Sequence, residues 1–401
     1  MNGTCSAGWK PFKLTRICQS STMKTLNVAM IGYKFMGKAH SNAWRQAPRF
    51  FKLKANPVLK VICGRHLPGA TQAAMEYGWE EASDHWQSVI TRRDIDIVDI
   101  CTGNDTHAEI AIAAARAGKA VLCEKPLAMN VAECRRMVDA AQRAHVTHMV
   151  CHNYRRIPAI AQAKKMIEEG AIGAIYHYRA RYLQDWIVDP NFPLVWRLQK
   201  KMSGSGTHGD IHAHIIDLAR FLVGEFDEVQ GLMHTFIKER PLLTPSGPSK
   251  TKNGRVTVDD AAMCLARFRN GAIGNLEATR FALGRKNGIQ IEINGSQGSL
   301  SFDFEDMNRL KFYNQRDPED RRGFRDILVT ESAHPYVKEW WPPGHIIGYE
   351  HTFTHTVADF LNAVAAGKRV SPDFVDGLRN QQVLEAIERS AASGRKVKVP
   401  R

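Results

Sequence analysis

The stretch Leu26-Asn27-Val28-Ala29-Met30-Ile31-Gly32-Tyr33-Lys34-Phe35-Met36-Gly37 decides how this chain folds. An apolar run of strand length that ends on glycine reads as a buried strand of a parallel sheet. The turn after it keeps two glycines, Gly32 and Gly37, and opens a helix. Turns of this kind cradle the pyrophosphate of a dinucleotide, usually with a third glycine in the middle. Here Lys34 and its neighbours occupy that middle stretch. Gly32, Tyr33, Phe35, Met36 and Gly37 are therefore candidate cofactor contacts.

Outward from this turn the pattern repeats. Val58–Cys63, residues 95–101 and Ala120–Cys123 read as three more strands, with helical segments between them. Thr106-His107-Ala108-Glu109 has the form of a capping box at the start of one helix, and Gly118 supplies its stop. Strand and helix in alternation predict right-handed βαβ units and a doubly wound parallel sheet. An acid at the end of the second strand would grip the adenosine ribose, but Arg65 stands there instead. An arginine suits a 2′-phosphate, so NAD and NADP both stay open.

After residue 150 the texture changes to alternating stretches at Ile175–Leu183, Val229–Ile237, Ala261–Phe268, Ala272–Thr279, Ile289–Asn294 and Ser299–Phe304. They predict an open antiparallel sheet, with a helix at Asp210–Val223 and two more near 350–366 and 373–392. Residues 240–256, rich in Pro, Ser, Lys and Gly, read as an exposed loop. The expected organisation is an α/β chain: a leader over 1–24, a dinucleotide-binding Rossmann domain over 25–150, and an α+β domain for substrate and self-association over 151–401.

The composition is that of a globular protein. The chain has 401 residues, 44% of them hydrophobic and 24% charged, and a formal charge of +14. No Asp or Glu precedes Glu76, while twelve Lys and Arg do, so the excess lies where a polyanionic dinucleotide is expected. The basic residues are scattered and carry no nucleic-acid signature, which argues against a DNA or RNA partner. No apolar stretch is long enough to cross a bilayer, and the first 24 residues lack the apolar core of a secretory signal. Eight cysteines without a CxxC pair, several inside apolar runs, fit reduced thiols in the cytoplasm.

The fourth strand runs into Glu124-Lys125-Pro126-Leu127. A lysine at the carboxyl end of such a strand points into the crevice where ligands bind, and its ammonium can stabilise a developing alkoxide. Further on, His208, Asp210, His212 and His214 crowd one stretch. On a helix, 208 and 212 share one face while 210 and 214 share another, so the four do not converge on one metal ion. On the second face, Asp210 is expected to hold one nitrogen of His214 while the other takes a proton.

Three segments together resemble the glucose-fructose oxidoreductase, inositol dehydrogenase and rhizopine catabolism (Gfo/Idh/MocA) family over roughly residues 24–398. They are the glycine turn continuing as Met36-Gly37-Lys38-Ala39-His40, the pair Thr102-Gly103-Asn104-Asp105-Thr106-His107 and Glu124-Lys125-Pro126, and the helix from Asp210 through His214 to Asp217. Gly103 and His212 depart from the family's usual proline and glycine. Within the family, His152-Asn153-Tyr154-Arg155-Arg156, Tyr182-Leu183-Gln184-Asp185-Trp186, Val195-Trp196-Arg197 and His208-Gly209-Asp210 look closest to the branch of levoglucosan dehydrogenases and glycoside 3-dehydrogenases.

The resemblance implies an oxidoreductase that moves a hydride from a secondary hydroxyl of a sugar, anhydrosugar or glycoside, at C3, to NAD or NADP. It assigns Lys125, Asp210 and His214 to catalysis and adds Arg65, Thr102, Asn104, His107, Glu124 and Lys125 to the cofactor site. Tyr154, Arg155, Gln184, Trp186, Trp196 and Arg197, with Asp210 and His214, form the expected substrate wall, and no metal is expected. Two other functions share this frame: a hydrolase or lyase that oxidises C3 transiently and keeps its cofactor, and a nucleotide-sensing regulator. A homodimer or homotetramer is expected through one face of the second sheet, with apolar residues around Ile289–Phe304 available for it.

Overall fold

The computed structural model describes residues 23–400. The expected leader over 1–24 lies outside the described residues except for Met23 and Lys24, and Lys24 already begins the first strand.

Six parallel strands form the first sheet: β1 (Lys24–Ile31), β2 (Ala55–Cys63), β3 (Glu81–Ser83), β4 (Ile97–Ile100), β5 (Ala120–Cys123) and β6 (His148–Val150), in the order β3-β2-β1-β4-β5-β6. β4 and β5 are buried at every position, because helices cover both faces. One face packs Ile31, Val98 and Val121 against the helices His107–Arg116 and Val131–Arg143. The other packs Val28, Met30 and Leu122 against Trp44 of the helix Phe35–Phe50, and also against Phe353, Val357, Phe360 and Leu361. Those last four belong to the helix Tyr349–Ala366, so the chain returns late to complete the first core.

Nine strands form the second sheet. In chain order they are β7 (Ile175–Leu183) and β8 (Phe226–His234), then, past a separate hairpin of β9 (Glu239–Thr244) and β10 (Gly247–Arg255), β11 (Ala261–Phe268), β12 (Ile273–Thr279), β13 (Gly288–Gly295), β14 (Gly298–Asp303), β15 (Arg309–Asn314), β16 (Arg325–Leu328) and β17 (Val397–Lys398). The sheet order is β16-β15-β14-β13-β7-β12-β11-β8-β17. It is antiparallel except for one pair, β7 with β12, which runs parallel and matches Thr279 with Leu183. That exception brings the ends of β7 and β12 and the start of β13 to one edge.

Three local expectations are corrected. Residues 240–256 are not a loop but the β9–β10 hairpin, whose Arg240 is buried and donates to the carbonyls of Ile187 and Asp189. The capping box at Thr106 does not form, because the Thr106 hydroxyl donates to Gly103 O and Thr102 Oγ1 instead and the helix begins only at His107. Ile289, Ile291, Ile293, Leu300 and Phe302 are buried in the core under the helices and are not available to a second subunit. The six cysteines among the described residues are buried and free, and no described helix is long and apolar enough to cross a membrane.

Candidate active site

Between β1 and β4 the strand order reverses, and the crevice at the carboxyl ends of such strands is where ligands bind. Gly32 has φ of +108°, and a Cβ there would lie 2.5 Å from Cys101 O. A Cβ at Gly37 would lie 2.1 Å from Gly32 O. The two glycines the sequence retains are thus the two the backbone needs. The helix they open has no side-chain cap at Lys34 and no acid in its first turn. Its unpaired N–H groups and positive end suit a pyrophosphate.

On the far side of the crevice stands Lys125. Its Nζ donates to Asp210 Oδ1 at 2.8 Å and to Asp210 O at 3.0 Å. The other carboxylate oxygen of Asp210 accepts from Arg280. Burial alone would raise the Asp210 carboxyl, but Lys125 and Arg280 outweigh it and hold it far below the usual carboxylate range. Asp210 sits in a π turn, His208–His212, that leads into the helix Ala213–Leu222 carrying His214. Such widened turns recur at functional sites. His214 is buried, and burial, Lys125 and His152 together push its imidazole well below the ordinary value. Its Nδ1 is buried without a partner.

The sheet edge described above supplies the opposite wall. Tyr154 packs its ring 4.4 Å from that of His214 and shares a hydrogen bond with the hydroxyl of Tyr182. Tyr182 donates to Asn287 Oδ1, which also accepts from Gln184 Nε2, and Trp186 Nε1 donates to Gln184 Oε1. The Arg280 guanidinium lies over the Trp186 ring at 5.1 Å, and that of Arg197 over Trp196 at 4.4 Å. Apolar ring faces beside amides and hydroxyls are the chemistry that recognises a compact polyol.

Comparison with known proteins shows where this arrangement belongs. Residues 26–152 match the oxidoreductase family model with an NAD-binding Rossmann fold, and residues 160–301 match the GFO/IDH/MocA C-terminal domain. A levoglucosan dehydrogenase from Pseudarthrobacter phenanthrenivorans is 48% identical over 387 residues, covering 94% of this chain and 99% of its own. The chain belongs to the Gfo/Idh/MocA oxidoreductase family. A solved levoglucosan dehydrogenase in complex with NADH and levoglucosan superposes with a TM-score of 0.91 at 49% identity, over 94% of this chain and all of that one. An oxidoreductase domain protein from Kribbella flavida gives 0.91 at 54% over the same shares.

This member of the Gfo/Idh/MocA family departs from the sequence reading in the second layer of its site. Asp210 does not hold His214: both of its oxygens are taken by Lys125 and Arg280. Arg155 does not reach the cleft, because it is buried in a paired contact with Asp217. Glu124 lies beneath the cofactor crevice, its Oε1 2.9 Å from His40 Nε2 and its Oε2 accepting from the Lys125 N–H. His107 is fully buried between Thr102 O and Pro126 O and ties those two segments together. Asn104 donates to Ser203 O, across the crevice, while Arg65 is exposed at the end of β2. Tyr33 lies against Gly64 and Gly69, so a Cβ on Gly64 would collide with its ring.

The rival cluster of His208, Asp210, His212 and His214 does not gather. His208 and His212 face each other at 3.0 Å between Nδ1 atoms, and His208 Nε2 meets Leu384 O. Among the described residues, donors close enough for an ion occur instead around His40, with Glu124 and Cys151 or with Asp99 and Cys101. There the imidazole is already held between two carboxylates. Sequence reasoning missed Arg280, Tyr182, Asn287 and His152. The first three come from the edge that the parallel β7–β12 pair creates, which alternation alone does not announce.

Proposed function

We propose that this NAD-binding oxidoreductase oxidises a secondary hydroxyl, at C3, of an anhydrosugar, sugar or glycoside. The observation that carries the reading is the meeting of Lys125, Asp210 and His214 opposite the tyrosine, tryptophan and amide wall. The likeness to levoglucosan dehydrogenase over nearly the whole chain supports the anhydrosugar as first choice. The dinucleotide, when bound, supplies the hydride acceptor. Gly32 to Gly37 and the uncapped helix after them would hold its phosphates.

The chain's own residues do the rest. Lys125, fixed by Asp210, donates to the substrate oxygen and stabilises the charge that grows there. His214, kept neutral by burial, takes the hydroxyl proton. Asp210 therefore acts on Lys125, and Arg280 holds Asp210 in turn. Incubation with NAD or NADP and a panel of levoglucosan, free sugars and glycosides tests the reading. Net accumulation of reduced nicotinamide is expected with NAD. Substrate cleavage without net reduction would favour a lyase that keeps its cofactor, and binding without turnover would favour a regulator.

The same reading puts the enzyme in the cytoplasm, in keeping with the free thiols among the described residues, as a homodimer or homotetramer. The self-association face is the outer side of β8, β11 and β12, where Leu232, Met263, Leu265 and Ile273 are exposed side by side. Leu265→Asp should reduce the mass seen by light scattering, and an unchanged mass would exclude this face.

A further inference from the structure

Beneath the cleft, three polar atoms are buried without a partner: His214 Nδ1, His152 Nδ1 and Asn380 Oδ1. Their side chains are neighbours. The two imidazoles stand nearly perpendicular with centroids 6.2 Å apart. Asn380 donates to Ala213 O at 3.1 Å and lies 3.5 Å from His152 Nε2. An unpaired buried atom has given up its hydration and gained nothing in return, so three together point to something that satisfies them.

The chemistry of the base says what that is. A neutral imidazole accepts at one nitrogen only while the other carries hydrogen. For His214 Nε2 to take a substrate proton, its Nδ1 must carry a hydrogen, and that hydrogen needs an acceptor. Asp210 makes no hydrogen bond to His214 Nδ1 and turns its oxygens to Lys125 and Arg280. Tyr154 offers His214 the face of its ring, since its hydroxyl is engaged with Tyr182. The neighbouring acceptors without a partner are His152 Nδ1 and Asn380 Oδ1. Burial, against the pull of Asp217, brings the pKa of His152 down to about 4, so its ring is neutral near neutral pH and keeps a lone pair.

We propose that His152 is the positioning residue of the base: one bridging water joins His214 Nδ1 to His152 Nδ1, with Asn380 Oδ1 as the water's further partner. The Asp217 carboxylate, 3.8 Å behind His152 Nε2, draws the ring hydrogen to that nitrogen by charge, against a long 3.5 Å contact from the Asn380 amide N–H, and so leaves Nδ1 free to accept. Asp217 is itself pinned by Arg155. This inference rests on the reading of His214 as the base. In the reaction the carbinol C–H leaves as hydride to the nicotinamide, the O–H proton goes to His214 Nε2, and the carbon–oxygen bond becomes a carbonyl. The new imidazolium charge is then shared toward His152 and the Asp217–Arg155 pair.

The test compares His152→Leu, which removes the acceptor, with His152→Gln, which keeps one. Lys125 and Asp210 face His214, while Asp217, Arg155, Lys125 and Arg220 face His152, and all stay in place in both variants. His152→Leu should lower kcat by about 10–100-fold, the range seen when a histidine loses its outer partner. KM and NAD affinity should change little, and the acidic limb of the pH profile should move to lower pH: His152 repels protonated His214 only when it is itself charged, and with its pKa at about 4 it is neutral near neutral pH, so the variant removes an acceptor and no charge. His152→Gln should restore most of kcat and return the limb.

Unchanged kcat and limb in a His152→Leu protein that binds NAD would overturn the proposal, as would equal loss in both variants. Should His152→Leu not fold, Asn380→Ala carries the test: the limb should shift the same way, and an unmoved limb overturns it. His214→Ala, assayed alongside, separates the two readings. Full activity there sinks the base itself, whereas an inactive His214→Ala beside an unaffected His152→Leu sinks only this inference.

Discussion

Lys125 divides the site into two sides that are built differently. Beneath it, Glu124, His40, Asp99 and Trp44 form a closed set: His40 bridges both carboxylates, and Trp44 Nε1 donates to Asp99 Oδ2 at 2.7 Å. Above it, Asp210 is fully engaged, yet His214 Nδ1 and two nitrogens of Arg280 are buried without partners. A satisfied buried network fixes geometry, and an unsatisfied one beside a cleft keeps capacity for a ligand, a water or a proton. The difference teaches that charged residues one position apart in sequence, Glu124 and Lys125, serve opposite ends. Side chains alternate at a strand end, so one points under the sheet edge and the next points over it.

The sharpest way to break this comparison is to remove the cation that divides the two sides. Lys125→Met keeps the aliphatic stem and deletes the only charge offered to the substrate oxygen from β5. Turnover should fall by about 10³-fold or more, beyond the cost of a single oxyanion donor, while NAD affinity stays close to that of the parent. Single-turnover kinetics with a fluorescence titration of the dinucleotide would show it. Comparable losses in turnover and dinucleotide affinity would mean that Lys125 belongs to cofactor binding.

Two histidines on the same turn sharpen it further. His214→Ala should cost about 10²–10⁴-fold in kcat, as loss of a general base does, and should erase the acidic limb. That limb should lie below the ordinary histidine range of about 6.5, since burial pushes the group down. His212→Ala removes a buried partner of His208 instead. It should lower the melting temperature and leave kcat of the folded enzyme within about tenfold of the parent, since its ring pairs with His208, which in turn meets Leu384 O of the helix Phe374–Ser393. Equal kinetic losses would undo the separation of the two faces.

How much of this was legible beforehand follows from what each signal encodes. The glycine turn, the EKP segment and the Asp210–His214 spacing each sit within one local element, and local periodicity reports such elements well. Arg280, Tyr182 and Asn287 meet only because β12 pairs parallel to β7 across a long connection, and alternation carries no record of which strands become neighbours. Arg155 was misread for a related reason. It follows Tyr154 in a tight 3-10 turn, where successive side chains diverge, and its partner Asp217 lies 62 residues away. The hairpin at 239–255 was hidden because, apart from Leu242 and Leu243, its sequence is polar and interrupted by Pro and Gly, as an exposed two-stranded arm allows.

Asp210→Asn gives a smaller kinetic effect than either catalytic change, with a mixed signature. The amide cannot balance Lys125 and Arg280, so a half-buried and a buried cation lose their shared counter-charge. The Asp210 side chain is 33% exposed, so the loss falls below the ~3–5 kcal/mol of a fully buried pair but is still one that a thermal melt would register. Turnover should fall by roughly 10–100-fold as Lys125 loses its anchor, the range typical of a lost outer partner. The acidic limb should also move to lower pH, because Asp210 is the charge that raises His214. A limb that shifts upward would contradict the charge balance described here.

The smallest expected effect tests the closed side, and it appears in stability with no change in rate constant. Burial alone would lower the His40 imidazole, but Asp99 overrides it and the group ends well above its ordinary value. A folded-state pKa raised above the unfolded one contributes stability that is complete below about pH 6.5. That contribution is lost as pH rises through the raised folded value, so the loss belongs to the alkaline side. The melting temperature should therefore decline as the pH is raised above neutrality. His40→Gln cannot be protonated and should flatten that decline while lowering the melting temperature at pH 6. The variant should still bind NAD, because His40 supports Glu124 from beneath and does not line the crevice. If the alkaline decline persists in His40→Gln, the bridging imidazole is not its source, and the two sides of Lys125 differ less than their hydrogen bonds indicate.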